Sequence, residues 1–246
     1  MCGNACCINA TFLLCENDIL KISTVVCIFD ANELMKHETH IINCYNKTAE
    51  AYATKFIDEL SHKHLDRILL KSFASENKDR GSCIDLGCGP GQTTKYLSEN
   101  GITDLLGIDI SPVMIATAKK LNPLLTFEEN DILQLTYADA SFGSAVAFYA
   151  IVHFDYEQVQ RAFHEITRIL TTKGQFLFSF HIGDSAIRVD NFLDQQVSID
   201  FYFFDATKII DLLLKNGFDI IDVIERKPYK DLEFQSQRAY IWVRKK

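Results

Sequence analysis

The sequence predicts an α/β protein: a Rossmann-like seven-stranded sheet, mostly parallel with the last strand antiparallel, and helices on both faces. Three observations predict it. From about Asn43 onward, short apolar runs of strand length alternate with stretches of helical period. The first of those runs, Ser82–Leu86, ends in a cluster of glycines, as a buried strand does when it turns into a helix. The last two runs, Phe218–Glu225 and Arg238–Val243, are joined by about ten residues that include Pro228. A parallel crossover needs more chain than that, so the final strand must run against its neighbour.

The elements follow in order. Thr48–Leu60 and Leu65–Phe73 carry apolar residues at helical spacing: Ala49, Tyr52, Ala53, Phe56, Ile57 and Leu60, then Leu65, Ile68 and Leu69. Beyond the glycine cluster, Thr93–Asn100 reads as a helix closed by Gly101. Asp104–Ile108 is a second strand. Ser111-Pro112 then opens a helix, with serine as its cap and proline at its first position. Leu125–Glu128 and Ser144–Tyr149 are the third and fourth strands; a long helix runs from about Tyr156 to Leu170, and Gln175–Phe180 is the fifth strand. Ala206–Asn216 is a helix ending at Gly217. The domain so defined spans residues 43–246. Residues 1–42 form an N-terminal extension without a clean period, and two readings stand for it: a native start at Met35, or an extension that packs over the domain.

Composition excludes several classes. The 246 residues carry a formal net charge of −8, which gives little attraction to polyphosphate, so nucleic acid is not the expected partner. No apolar run reaches the ~18 residues of a membrane-spanning helix. Of the eight cysteines, Cys2, Cys6, Cys7, Cys15, Cys27 and Cys44 precede the body of the domain and Cys83 and Cys88 lie within it. Disulfide frameworks belong to short secreted chains, and zinc sites need paired clusters that this spacing lacks. The thiols are therefore expected to be reduced small hydrophobes of a cytoplasmic protein, with no metal site.

The segment Ile84-Asp85-Leu86-Gly87-Cys88-Gly89-Pro90-Gly91 carries the strongest chemical signal. Glycines at alternating positions after a strand let the backbone turn tightly and let a ligand lie against it. A dinucleotide fingerprint would read G-x-G-x-x-G and seat a pyrophosphate at the helix N-terminus. This chain reads G-x-G-x-G, and Asp85 ahead of the turn would repel a pyrophosphate and attract an ammonium. Asp109 ends the second strand 18 residues after Gly91, the distance expected of a carboxylate that takes both hydroxyls of a ribose. Asn130-Asp131-Ile132 ends the third, where an acid beside a branched residue suits an adenine amino group and ring.

Together these motifs resemble the class I S-adenosylmethionine-dependent methyltransferases, over about Asn43 to the C-terminus. The resemblance implies that Asp85, Gly87, Cys88, Gly89 and Gly91 form the glycine motif, that Asp109 serves the ribose, that Asp131 and Ile132 serve the adenine, and that Ile110 and Met114 also bind the cofactor. It places Tyr149 and Ala150, in Phe148–Phe154, along the methyl-donor and acceptor pocket, and Tyr52 of the leading helix over the cofactor. The implied cofactor is S-adenosyl-L-methionine, and the implied reaction is in-line methyl transfer to a small organic acceptor. Positioning and exclusion of water are the protein's main contributions to such a reaction.

A neutral hydroxyl or ammonium acceptor also needs a base, and histidine suits that role near neutral pH. His153 after the fourth strand and His181 after the fifth are the candidate catalytic residues, His153 ranked first; the alternative for each is a structural hydrogen bond to backbone. His37, His40, His62, His64 and His164 should face solvent. The insertion 182–204 holds Phe192, Ile199, Phe201, Tyr202, Phe203 and Phe204. Four consecutive aromatics cannot share one face of a strand, so some bury against the domain and some could wall an acceptor pocket. Arg188 could bind an acceptor carboxylate or be solvated. Two rival functions remain: a non-catalytic nucleoside-binding regulatory domain, and an NAD-linked oxidoreductase.

Overall fold

The computed structural model describes residues 39–246. The chain divides between Thr39 and His40, and the description concerns the unit that begins at His40. The Met35 start, His37 and the five cysteines before Cys44 lie outside the described residues.

Helix α1 covers 39–56 and buries Ile41, Cys44, Thr48, Ala49 and Ala53, a stripe at helical spacing. Its predicted continuation to Leu60 is interrupted by a turn, and α2 (Glu59–His62) and α3 (His64–Asn77) follow. Next come β1 (Cys83–Leu86), α4 (Gln92–Glu99), β2 (Leu105–Asp109), α5 (Pro112–Leu121), β3 (Thr126–Glu129) and β4 (Phe142–Phe148). A 3-10 turn at Ile151–His153 leads to α6 (Tyr156–Ile169) and β5 (Leu170–His181). Ser111 caps α5 by accepting from the Met114 N–H, with Pro112 at the first helical position.

The sheet order is β3-β2-β1-β4-β5-β9-β8, with β8 (Phe218–Arg226) and β9 (Arg238–Lys245) closing the chain after α7 (Ala206–Lys215). Strand β9 alone is reversed, pairing antiparallel with β5 on one side and β8 on the other. All four residues of β1 are buried, because helices cover both faces of a parallel sheet. The order turns back between β1 and β4, the point where such sheets open a cleft at their carboxyl edge. Register brings the strand ends into line there: Asp85 pairs with Gly107 and Val146, and Asp109 with Glu129.

The insertion is a hairpin of β6 (Ser185–Phe192) and β7 (Gln195–Phe203). Its two-residue turn is Leu193-Asp194, both at positive φ (52° and 61°). That geometry suits the twist of a hairpin but is usually built from Asn-Gly, so the turn left no sequence signature. The four aromatics alternate: Phe201 and Phe203 turn to His153 and His181, while Phe204 packs on Tyr156 and Phe180. Strand β5 begins earlier than its apolar run, with Leu170 pairing to Phe142 ahead of a bulge.

Candidate functional site

The loop after β1 turns at Gly87, Gly89 and Gly91, all at positive φ. At Gly87 (φ +71°) a Cβ would stand 2.6 Å from the Cβ of Ala150, so only glycine lets the β1 and β4 loops approach this closely. The same Cβ would lie 3.8 Å from Cδ1 of Ile132, so the glycine loop, the β3 end and the β4 end converge on one spot. Cys88 ties the loop to β2 through its N–H to the Ile108 carbonyl (2.8 Å). Its buried thiol packs with Ile115, Ala118 and Phe127, which leaves the backbone as its contribution to the loop. The Tyr52 ring leans over Gly89, 3.8 Å from where a Cβ would be.

Two carboxylates flank this loop. Asp85 is buried (1% exposed) and accepts from Thr94 Oγ1 at 2.6 Å. Asp109 accepts from the Gly89 N–H (3.0 Å) and the Ser111 N–H (2.9 Å), so each oxygen has one backbone donor that orients it. Burial pushes the Asp85 carboxyl up to about 7, and the neighbouring Asp109 pushes the same way. Burial raises Asp109 to about 6 against the pull of its backbone donors. Among the described residues no lysine or arginine pairs with either. A desolvated, negatively charged cleft of this kind favours a ligand with a positive end and hydroxyl donors, and penalises a diphosphate. Asp131, half-buried, accepts from the Leu133 N–H at 2.9 Å, and burial raises its carboxyl as well. Ile110 is half-buried beside Asp109; Met114 is buried on α5.

At the end of β4 the backbone is strained. Tyr149 sits at φ 56°, a left-handed conformation that costs a non-glycine residue about 1–2 kcal/mol. Its N–H donates to both the carbonyl and the hydroxyl of Ser179 (3.2 Å each), which holds the turn. His153 follows, 4% exposed, with both ring nitrogens bonded. Its Nδ1 lies 2.8 Å from the Asp200 carbonyl, which can only accept, so Nδ1 carries the proton. Nε2 lies 2.6 Å from the Tyr45 hydroxyl, and in the Nδ1-protonated neutral tautomer it accepts from that hydroxyl. This chain joins α1, the β4 end and β7. Cys44, Val197, Ile199, Phe192 and Phe201 pack around it, so helix and hairpin meet over this side of the cleft.

His181, at the end of β5, is placed differently. Its Nδ1 meets Ser236 Oγ at 2.7 Å, and its ring lies among those of Tyr149, Phe203 and Phe234 at 5.2, 5.5 and 6.0 Å. Burial, with Arg238 and Lys63 nearby, lowers the imidazole to about 3, so it is neutral at physiological pH. Lys63 Nζ and the Arg238 guanidinium stand 5.2 and 5.8 Å from the Tyr149 ring. Beneath them, Tyr149 meets the Tyr240 hydroxyl, which donates to the buried Asp66 (2.7 Å) and receives Arg226 (2.8 Å).

The structure thus gathers Tyr52, Asp85, the three glycines, Asp109, Ile132 and Ala150 around one loop, and sets His153 and His181 on the β4–β5 side. His40, His62, His64 and His164 are exposed, and Cys44, Cys83 and Cys88 are buried free thiols. Arg188 is 60% exposed and faces Asp190 and Asp200, away from the aromatic rings that border His181. Thr94, Tyr45, Lys63, Phe234 and Arg238 escaped the sequence reading. Only Thr94 had a local signal, a hydroxyl in the first turn of the helix after the glycines.

Residues 84–178 match the family model described as a methyltransferase domain. The chain is 28% identical over 168 residues to an uncharacterized methyltransferase of Oceanobacillus iheyensis, covering 68% of this chain and 69% of that one. It is 31% identical over 111 residues to the human eEF1A lysine and N-terminal methyltransferase, 41% of this chain but only 16% of that protein's length. Among solved structures, magnesium protoporphyrin IX methyltransferase of Synechocystis PCC 6803 with bound SAM superposes with a TM-score of 0.66 at 15% identity, over 85% of this chain and 97% of that one. At that identity the likeness is one of fold.

Proposed function

We propose that the chain is a class I S-adenosylmethionine-dependent methyltransferase, a reading its methyltransferase domain and its fold support, and that the cleft between β1 and β4 binds S-adenosylmethionine and serves a small organic methyl acceptor. One observation carries the proposal: two desolvated carboxylates, Asp85 and Asp109, stand on either side of a glycine loop, and among the described residues no lysine or arginine pairs with them. Their chemistry fits the ligand. Asp85 favours its ammonium end, and Asp109, held by two backbone N–H groups, has lone pairs left for the ribose hydroxyls. Asp131 and Ile132 would take the adenine, with Ile110 and Met114 on the ribose side, and Tyr52 would cover the loop. When bound, the cofactor supplies an electrophilic methyl on a sulfonium.

The protein's own task is then to exclude water and aim the acceptor. Tyr149 and Ala150 line the edge between donor and acceptor, and the β6–β7 hairpin walls the far side with aromatic rings. In this reading His153 acts by holding Tyr45 over the cleft, and His181 meets the acceptor. Asp85 disfavours the oxidoreductase alternative, since a dinucleotide would bring a diphosphate against it. Titration calorimetry with S-adenosylhomocysteine and with NAD tests the assignment: the first should bind and the second should not, and Asp109→Ala should narrow the difference. Binding without turnover on any acceptor would instead support a regulatory nucleoside-binding domain.

A further inference from the structure

We propose that the aromatic box formed by Tyr149, His181, Phe203 and Phe234, with Lys63 and Arg238 beside it, binds the methyl acceptor as a planar oxyanion, a phenolate or an aromatic carboxylate. The inference rests on the methyl-transfer reading and adds the acceptor's class to it.

Shape comes first. The imidazole of His181 is bordered by three rings at 5.2–6.0 Å, and Phe203 and Phe234 are themselves 6.1 Å apart. Flat apolar walls select a flat ligand. Phe234 is 61% exposed, an apolar ring left at the mouth of a site whose other walls are at least half-buried. The box stands at the carboxyl ends of β4 and β5, beside Ala150, which touches the glycine loop.

Charge decides between anion and cation. An aromatic box ordinarily suits an ammonium, because ring faces attract cations. Here the Tyr149 ring already has two cations of the protein beside it, Lys63 at 5.2 Å and Arg238 at 5.8 Å. Both are buried, so their field is weakly screened. Glu59 on α2 pairs with Lys63 (2.5 Å), and Glu233 of the 227–237 loop pairs with Arg238 (3.2 Å). At His181 the two cations outweigh the carboxylate: after burial, Arg238 and Lys63 each lower its basicity more than Glu233 raises it. A further cation would be repelled there and an oxyanion attracted.

The imidazole then has a defined role. Ser236 Oγ lies 2.7 Å from Nδ1 and can donate to it; in that tautomer the ring proton is on Nε2, where it can donate to the acceptor oxygen. No general base is needed. The acceptor loses its proton to solvent on binding, and its oxygen lone pair forms the O–C bond as the methyl's C–S bond breaks. The C–S electron pair stays on sulfur, leaving a neutral thioether.

The test uses 4-nitrophenol, whose anion absorbs in the visible, on the full chain saturated with S-adenosylhomocysteine at a pH where free probe is mostly neutral. Binding should raise the phenolate band, with the anion preferred roughly tenfold over the neutral phenol, equivalent to one pKa unit. Lys63→Gln and His181→Phe should each remove most of that preference, and Phe234→Ala should weaken binding of both forms alike. Benzylammonium should not displace the probe. Cofactor binding measured on the same samples separates the two readings. If S-adenosylhomocysteine binds and the probe shows no shift toward phenolate, or if benzylammonium competes, the oxyanion assignment is overturned while the methyl-transfer reading stands. If the cofactor does not bind, both fall.

Discussion

On the β1–β3 side of the cleft, the groups that hold each carboxylate are near in sequence: Thr94 is 9 residues from Asp85, and Gly89 and Ser111 are 20 and 2 from Asp109. On the β4–β5 side the partners come from far along the chain. Tyr45 and His153 are 108 residues apart, Tyr149 and Tyr240 are 91, and His181 and Ser236 are 55. The first side is written into strand–turn–helix units that each close on themselves. The second exists only after α1, the hairpin and the 227–237 loop have docked. Damage on the first side should therefore appear in cofactor binding, and damage on the second in acceptor handling and in the anchoring of the covering elements.

The hardest break is Gly87→Ala. A Cβ 2.6 Å from Ala150, at φ +71°, combines overpacking of about 1–3 kcal/mol with a left-handed penalty of about 1–2 kcal/mol. A thermal melt should fall by several degrees and cofactor binding should be lost. Asp109→Ala comes next: removing a charged acceptor of two backbone donors and of the ligand's hydroxyls should weaken S-adenosylhomocysteine by about 2–3 kcal/mol, read by calorimetry, with a native circular dichroism spectrum.

The pH dependence sharpens the contrast further. Below about 6–7 Asp109 and Asp85 hold protons in the unligated protein, and a ligand with a positive end and hydroxyl donors favours their charged forms. Binding should release protons, and affinity should rise roughly tenfold or more between pH 5.5 and 7.5 and level off above it. Calorimetry in buffers of different ionisation enthalpy would reveal the released protons; an affinity independent of pH would contradict the picture.

Tyr45→Phe tests the other side. It removes the hydrogen bond between the Tyr45 hydroxyl and His153 Nε2, which should lower stability by about 0.5–1.5 kcal/mol while S-adenosylhomocysteine affinity stays within a factor of two or three. A large loss of cofactor affinity would put Tyr45 in the donor half. The smallest effect is expected of Arg188→Ala: exposed and screened, its ion pairs contribute under about 0.5 kcal/mol, and both melt and binding should be unchanged.

The same division explains which features were legible. The strand ends carrying Asp85 and Asp109, the Ser111-Pro112 cap and the reversed last strand could all be read, because each depends on a short stretch and on backbone rules. The hairpin could not, since Leu193 and Asp194 adopt positive φ without glycine or asparagine to announce it. His153 and His181 were equivalent as residues after strands. Their difference lies in neighbours: one ring closes a chain from Tyr45 to Asp200, and the other sits among aromatic rings with one nitrogen on Ser236.

The amino-acid order alone determined the sheet, its switch point and an acidic glycine cleft, because strand period, glycine torsions and caps act over a few residues and need no distant partner. Tertiary packing decided which side chains border the proposed acceptor site, because Lys63, Tyr149, His181, Phe234 and Arg238 acquire a common environment only when four separate segments close on one another, and a side chain's charge and basicity follow from that environment.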